Sequence, residues 1–493
     1  MTDESSTPNK NQWKTLDKDL GRIVQLEQAL AVANRPVIAL SVSVVFVLIC
    51  ALIAVLFAGG ASSSLVIVVA AAFSAYMALN IGANDVANNM GPAVGANALT
   101  MGGALVIAAV FETLGALIAG GDVVSTISGG IVAPSAVADP NVFVSAMMAA
   151  LISAALWLNL ATWLGAPVST THSIVGGVMG AGIAAAGFSA VAWPTMGQIA
   201  ASWVISPVLG GVIAALFLAF IKAFINDVPD KITAARRWVP ILIGIMAGAF
   251  SAYLALKGLK KIISLSLGQA MLIGLVIGVV TTFVSRPLVH RQSEGLENRK
   301  KSLKKLFGLP LVLSAALLSF AHGANDVANA VGPLAAIVHA VQDDATGAKV
   351  TIPLWVMVIG AAGISFGLVL FGPKLIRMVG SEITKLNPMR AYCVALSAAI
   401  TVIVASWLGL PVSSTHIAVG GVFGVGFYRE WHAERRSRLL GIEKGKPVAP
   451  EERSRRKLVR RAHFLTIAAA WVITVPATAL LSAIVFFVLN AFG

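Results

Sequence analysis

Two carboxylates in apolar surroundings, Asp85 and Asp326, are the residues whose placement demands a chemical role. Asp85 stands in the run Gly82-Ala-Asn-Asp-Val-Ala-Asn88, and the same seven residues return unchanged from Gly323 to Asn329. Each copy brings a carboxylate and two amides, Asn84 and Asn88 or Asn325 and Asn329, into a segment long and apolar enough to cross a membrane. Placing an ionisable side chain at the bilayer centre costs about 2.5–3.5 kcal/mol on insertion scales, so such a residue is read as functional by default. Amide and carboxylate oxygens are hard ligands, suited to Na⁺ or, at the carboxylate, to carrying a proton. Polar glue between helices is the blander role, and the duplication of both Asp and all the amides argues against it. Each box ends in a Gly-Pro step, Gly91-Pro92 and Gly332-Pro333. The helix is therefore expected to break here and free backbone groups for an ion.

A second pair of boxes supplies the complementary chemistry. Pro167-Val-Ser169-Thr170-Thr171-His172 is matched by Pro411-Val-Ser413-Ser414-Thr415-His416, each followed by a Gly-Gly pair. Pro then Ser/Thr ahead of an apolar run signals a helix start. A helix N-terminus is an anion site through its dipole and its unpaired N–H groups. Two facing starts would hold a tetrahedral oxyanion, with hydroxyls from Ser169, Thr170, Thr171, Ser413, Ser414 and Thr415. Ordinary capping is the simpler role for these residues and is compatible with anion binding. No Lys or Arg lies in any of the four boxes. Cations bound at the Asn-Asp boxes would supply the missing positive potential, which is a physical reason to couple anion to cation. His172 and His416 are candidates for an anion donor or a proton relay, or are structural. Glu112, in Phe-Glu-Thr-Leu-Gly115, is a further candidate as a coupling-ion ligand or gate. Aligning Gly115 with Gly367 puts Ile364 opposite it, so it has no twin; Asn159 likewise faces Ile403.

These residues need a membrane scaffold to hold them, and the composition provides one. Of 493 residues 57% are hydrophobic and 12% charged, against about 25% charged in soluble domains. Mean hydropathy is +0.86. Candidate spans fall at 37–58, 64–81, 101–119, 143–165, 172–188, 197–222, 238–256, 262–285, 308–322, 352–372, 391–410, 415–428 and 463–491. The net charge of +14 comes from basic residues crowded into 222–237, 286–307, 374–390 and 429–461. That places those loops inside by the positive-inside rule and gives no reason to invoke nucleic acid. Loops 120–142, 189–196 and 338–350 are then outside. The cluster Lys257, Lys260 and Lys261 breaks the rule. Cys50 and Cys393 lie in apolar segments and frame neither a disulfide nor a metal cluster. The polar first 35 residues carry no cleavable leader pattern, and Trp13 to Arg35 shows helical spacing suited to a surface-lying amphipathic helix.

With these orientations the region 64–119 starts and ends outside while its counterpart 308–372 starts and ends inside. The expected fold is an all-α polytopic membrane protein of two inverted-topology repeats with broken or re-entrant helices, about twelve transmembrane helices in all. The organisation divides into a cytoplasmic N-terminal segment at 1–35, an extra helix at 36–63 and a first repeat at 64–225. Linking helices with a basic loop follow at 226–307. The second repeat runs over 308–428 and 462–493, interrupted by a basic cytoplasmic loop at 429–461.

The two Gly-Ala-Asn-Asp-Val-Ala-Asn boxes and the two Pro-Val-Ser-(Ser/Thr)-Thr-His boxes resemble the inorganic phosphate transporter (PiT) family. So does the pairing of Ser-Trp-Val-Ile-Ser-Pro (202–207) with Ala-Trp-Val-Ile-Thr-Val-Pro (470–476). The likeness covers residues 64–225 and 308–491. It implies a secondary transporter of inorganic phosphate built as a homodimer, with inorganic phosphate and a coupling cation as its partners and with phosphate and cation sites at the Asn-Asp and Ser-Thr boxes. Members of the family differ in coupling ion. Glu112 and the two complete Asn-Asp boxes look more like the Na⁺-dependent branch, with H⁺ coupling as the alternative. The expectation is a multi-pass protein of the cell membrane, without an organic cofactor, importing phosphate by symport through alternating access. An H⁺-coupled carrier of metal–phosphate and a sulfate permease are the alternatives on the same scaffold. An enzyme would need a nucleophile–base pair or a metal cluster, which no single segment offers.

Overall fold

The computed structural model describes residues 37–58, 64–164, 168–258, 265–342, 350, 352–378, 386–439 and 461–492. The expected amphipathic helix in 1–35 lies outside the described residues. The described chain is helical, with one isolated bridge between Val132 and Val191. The main helices are α1 (Val37–Phe57), α2 (Ser64–Gly95), α3 (Met101–Ala119), α4 (Pro140–Leu164), α5 (Thr170–Ala186), α6 (Trp193–Ile221) and α7 (Lys231–Lys257). They continue with α8 (Leu267–Ser293), α9 (Gly308–Gln342), α10 (Leu354–Met378), α11 (Pro388–Trp407), α12 (Ser414–Leu439) and α13 (Arg461–Phe492). Among the described residues, 11 helices are long and apolar enough to cross a membrane. The protein is a polytopic membrane protein.

The helices cross between the two halves of the chain. A Cβ on Gly82 of α2 would lie 1.9 Å from the carbonyl oxygen of Ile364 on α10, and one on Gly367 would lie 2.1 Å from that of Leu79. In the other half, a Cβ on Gly323 of α9 would lie 2.1 Å from Glu112 O on α3, and one on Gly115 would lie 2.0 Å from Phe320 O. These are the same two contacts with the repeats exchanged. Further along, Gly372 meets Val86 and Gly120 meets Val327, so α2 runs parallel to α10 and α3 parallel to α9. The Ser365 hydroxyl donates to Ala109 O at 3.1 Å, while Gly372 faces Leu105, so α3 runs against α10. Helix α9 therefore runs opposite to α2, its counterpart. The repeats are inverted, as the loop charges predict.

The glycines that sequence reading assigns to helix breaking do something else. Both Asn-Asp boxes sit inside continuous helices, with Pro92 and Pro333 accommodated further along. Gly82 and Gly323 are there because helix backbones touch at those points, where any side chain would collide. The expected spans 64–81 and 308–322 accordingly extend through the boxes to Gly95 and Gln342. The discontinuities fall at the Ser-Thr boxes instead. Helix α4 ends at Leu164 and α5 starts at Thr170; α11 ends at Trp407 and α12 at Ser414 begins after an unwound stretch. In that stretch Gly409 holds a φ of 69°, a left-handed conformation glycine tolerates.

Two smaller departures concern the loops. Helix α12 continues to Leu439, so the basic insertion starts as helix; residues 440–460 lie outside the described residues. Lys257, on the side assigned outside, pairs with Asp122 and so does not present a bare charge there. At the opposite end, Gly95, Lys304, Lys305 and Asn387 line one cavity, which puts the C-terminus of α2 at the basic end of the molecule.

Candidate functional site

Thr170, the first residue of α5, sits between the two carboxylates. Its hydroxyl lies 3.2 Å from Asp85 Oδ2 and 3.3 Å from Asp326 Oδ2. Asp85 comes from α2 and Asp326 from α9, so one helix start joins the two repeats. Both carboxylates are buried, at 4% and 1% exposure. The matching start of α12 approaches from the other side, with Thr415 Oγ1 3.2 Å from Asp85 Oδ1.

The amides of the boxes cross between repeats in the same way. Asn88 donates to Thr415 Oγ1 at 2.8 Å, and Asn329 donates to Thr171 Oγ1 at 3.1 Å and toward Thr170 Oγ1 at 3.4 Å. Asn84 donates to Asn80 O, one turn back on α2. Asn325 is committed elsewhere. It donates to Ser406 Oγ and Leu410 O and accepts from Val412 N, bracing the unwound stretch before α12. Ser169 and Ser413 cap their helices, accepting from the backbone N–H of His172 at 3.2 Å and His416 at 3.4 Å. Thr171 donates to Val412 O, tying the two helix starts together. Ser414 Oγ is buried with no hydrogen-bond partner among the described residues. The imidazoles of His172 and His416 pack edge to face, centroids 4.7 Å apart, with Trp203 3.9 Å from His172.

Sequence reasoning missed His322. It precedes the second box by one residue, and its counterpart before the first box is Ile81. Its Nε2 lies 3.3 Å from Asp326 Oδ2 and 3.9 Å from Asp85 Oδ2, and its Nδ1 lies 3.4 Å from Glu112 Oε1. Glu112 in turn accepts from Asn89 Nδ2 at 2.9 Å. The twinless residue of each repeat therefore meets the other, where the opposite side of the pseudo-symmetry has Ile81 and Ile364. A histidine four residues before Asp326, one helical turn away in an apolar span, is the signal that could have found it.

Ligand atoms of Asp85, His322 and Asp326 all lie within 4.8 Å of one another. Three buried carboxylates share a single imidazole, and no Lys or Arg pairs with them among the described residues. An ion midway between oxygens up to 4.8 Å apart would sit about 2.4 Å from each, a spacing hard cations take from oxygen. The profile of the phosphate transporter family matches residues 81–482.

The chain belongs to the phosphate transporter family. It is 45% identical to a Helicobacter pylori protein assigned by name as a phosphate permease, over 96% of this chain and 99% of that one. It is 36% identical to the chloroplastic inorganic phosphate transporter 2-1 of Arabidopsis thaliana, over 84% of this chain and 70% of that one. A solved structure titled the sodium-dependent phosphate transporter superposes with a TM-score of 0.77 at 36% identity, covering 87% of this chain and all of that one. The family and these relatives are transporters, not enzymes, and the chain is a phosphate transporter of this family.

Proposed function

We propose that the protein imports inorganic phosphate by symport with Na⁺, exposing one central site alternately to the two sides of the cell membrane. The observation that carries this reading is Thr170 bridging Asp85 and Asp326, one carboxylate from each inverted repeat. The carboxylates give the empty site a negative field, and phosphate would be repelled from it. Cations held by Asp85 and Asp326, with Asn88 and Asn329 and with Asn84 and Asn325 steadying the surrounding backbone, invert that field. Phosphate then docks against the first turns of α5 and α12, where helix dipoles and the hydroxyls of Thr170, Thr171, Ser414 and Thr415 point. Ser169 and Ser413 hold those turns in place. Glu112 and His322 sit behind the carboxylates and fix their orientation. A protonated phosphate oxygen can donate to a carboxylate, which a sulfate cannot do, so the site favours phosphate. The broad exposed face of α8, with Leu272, Leu275, Val276 and Val279, is free to meet lipid or the second copy of a homodimer.

The test is radiolabelled phosphate uptake into proteoliposomes, comparing an imposed Na⁺ gradient with an imposed proton gradient, with excess sulfate as competitor. Na⁺-driven uptake insensitive to sulfate is the expected result. Uptake driven by protons alone would refute Na⁺ coupling and favour the metal–phosphate carrier; loss of signal in sulfate would favour the sulfate permease.

A further inference from the structure

We propose that Tyr76, Asn80 and Asn84 on α2, with Asn159 on α4, form a one-sided entry ladder for the monovalent cation. Residues 76, 80, 84 and 88 follow one another at four-residue steps, one above the next on a single helix face about 6 Å apart. The ladder runs from Tyr76, 37% exposed, through partly exposed Asn80, Asn84 and Asn88 to Thr415 and buried Asp85. Its outer rungs lie toward the end of α2 away from Lys304 and Lys305, the side opposite the basic loops.

The hydrogen bonds give the ladder a sign. Asn80 spends its N–H on Tyr76 O at 2.9 Å, Asn84 on Asn80 O at 3.0 Å, and Asn159 on Ala155 O at 2.8 Å and on the Tyr76 hydroxyl. With the Asn80 and Asn159 donors committed to backbone carbonyls and to Tyr76, the amide oxygens of those two residues are the groups the row has to offer a passing ion. A column of carbonyl dipoles attracts a cation shedding its water and offers an anion nothing. The row contains no Lys, Arg or His.

The second repeat lacks the ladder. At the positions matching Tyr76, Asn80 and Asn159 it has Leu317, Ala321 and Ile403. Leu317 and Ala321 are buried, at 6% and 0% exposure, and Ile403 packs against the cluster of Tyr253 and Phe320. The inverted counterpart of the outer path thus offers apolar side chains in place of polar ones. The competing explanation is that the stripe faces hydrocarbon, because exposed Leu156 and Leu160 flank Asn159.

This inference rests on the Na⁺-symport reading, and the experiment separates the two. The triple variant Tyr76→Leu, Asn80→Ala, Asn159→Ile writes the second repeat's residues onto the first. Na⁺ titrations of phosphate uptake are expected to show half-saturation by Na⁺ raised about tenfold, the loss of roughly one ligand-strength contact. The KM for phosphate at saturating Na⁺ should stay within about twofold. An unchanged Na⁺ titration overturns the ladder and leaves the symport reading standing. A parent protein with no Na⁺ dependence overturns both. If the triple variant does not assemble, Asn80→Cys decides. Its modification by a charged, membrane-impermeant thiol reagent from outside should be slowed by Na⁺ and not by N-methylglucamine. Reaction only with a lipid-soluble reagent, or none, refutes the proposal. Cys50 and Cys393 are buried and do not interfere.

Discussion

Replacing Asp326 by Asn tests the central claim, because it removes one charge and keeps the shape. Asp85 and Asp326 each offer an oxygen within 4.8 Å of the other. A cation midway gains about 7 kcal/mol from each carboxylate at an effective dielectric of about 20. The two carboxylates repel each other by about 3.5 kcal/mol on the same basis. That repulsion is the same with and without the cation, so Asp326→Asn forfeits the whole attraction to one carboxylate, about 7 kcal/mol in cation affinity, on the order of 10⁵-fold. The assay is phosphate uptake into proteoliposomes as a function of external Na⁺. Half-saturation should move beyond the accessible Na⁺ range, with phosphate uptake collapsing at ordinary Na⁺ because the anion site keeps its negative field. Asp85→Asn should behave alike, since Thr170 bonds both carboxylates. A correctly folded Asp326→Asn protein with the parent's Na⁺ titration would refute the electrostatic argument altogether.

Two further outcomes follow from the packing. His322→Ile takes the one imidazole from buried Glu112, Asp85 and Asp326 and should lower stability by about 3–5 kcal/mol, whereas Glu112→Ile leaves His322 facing Asp326 and should cost less. The double variant, which copies Ile364 and Ile81, should lose less than the sum of the two singles in thermal unfolding of the detergent-solubilised protein; losses that simply add would show that the pair is not coupled. Gly82→Ala and Gly323→Ala each drive a methyl into a facing backbone carbonyl. Each should cost about 1–3 kcal/mol, read as a lower midpoint in the same melt, whereas Gly102→Ala, with open space around it, should be silent.

Repetition made much of this protein legible before any fold was known. Asp85 and Asp326 stood out because a carboxylate in an apolar span is costly and because the boxes recur without change. Alternating loop charge then gave the opposed direction of α2 and α9, which the crossed glycine contacts bear out. The Ser-Thr boxes gave the helix starts at Thr170 and Ser414, since Pro, hydroxyl and apolar run act locally along the chain.

What stayed hidden depended on contacts between distant segments. The glycine of each Asn-Asp box suggested a broken helix, but a glycine has one sequence signature for bending and for close packing, and only the neighbouring Ile364 and Glu112 backbones decide between them. Asn325 looked like its twin Asn84 and yet braces the unwound stretch at Leu410 and Val412, because the local environments of the two repeats differ. His322 was invisible to a comparison of repeats, whose logic searches for what is shared. The sequence by itself determined the membrane class, the duplicated polar chemistry and the inverted plan, all of which follow from composition and periodicity along one chain. The tertiary structure alone decided that Glu112 meets His322 and that Thr170 joins Asp85 to Asp326, because those pairings arise from helices of one repeat crossing those of the other.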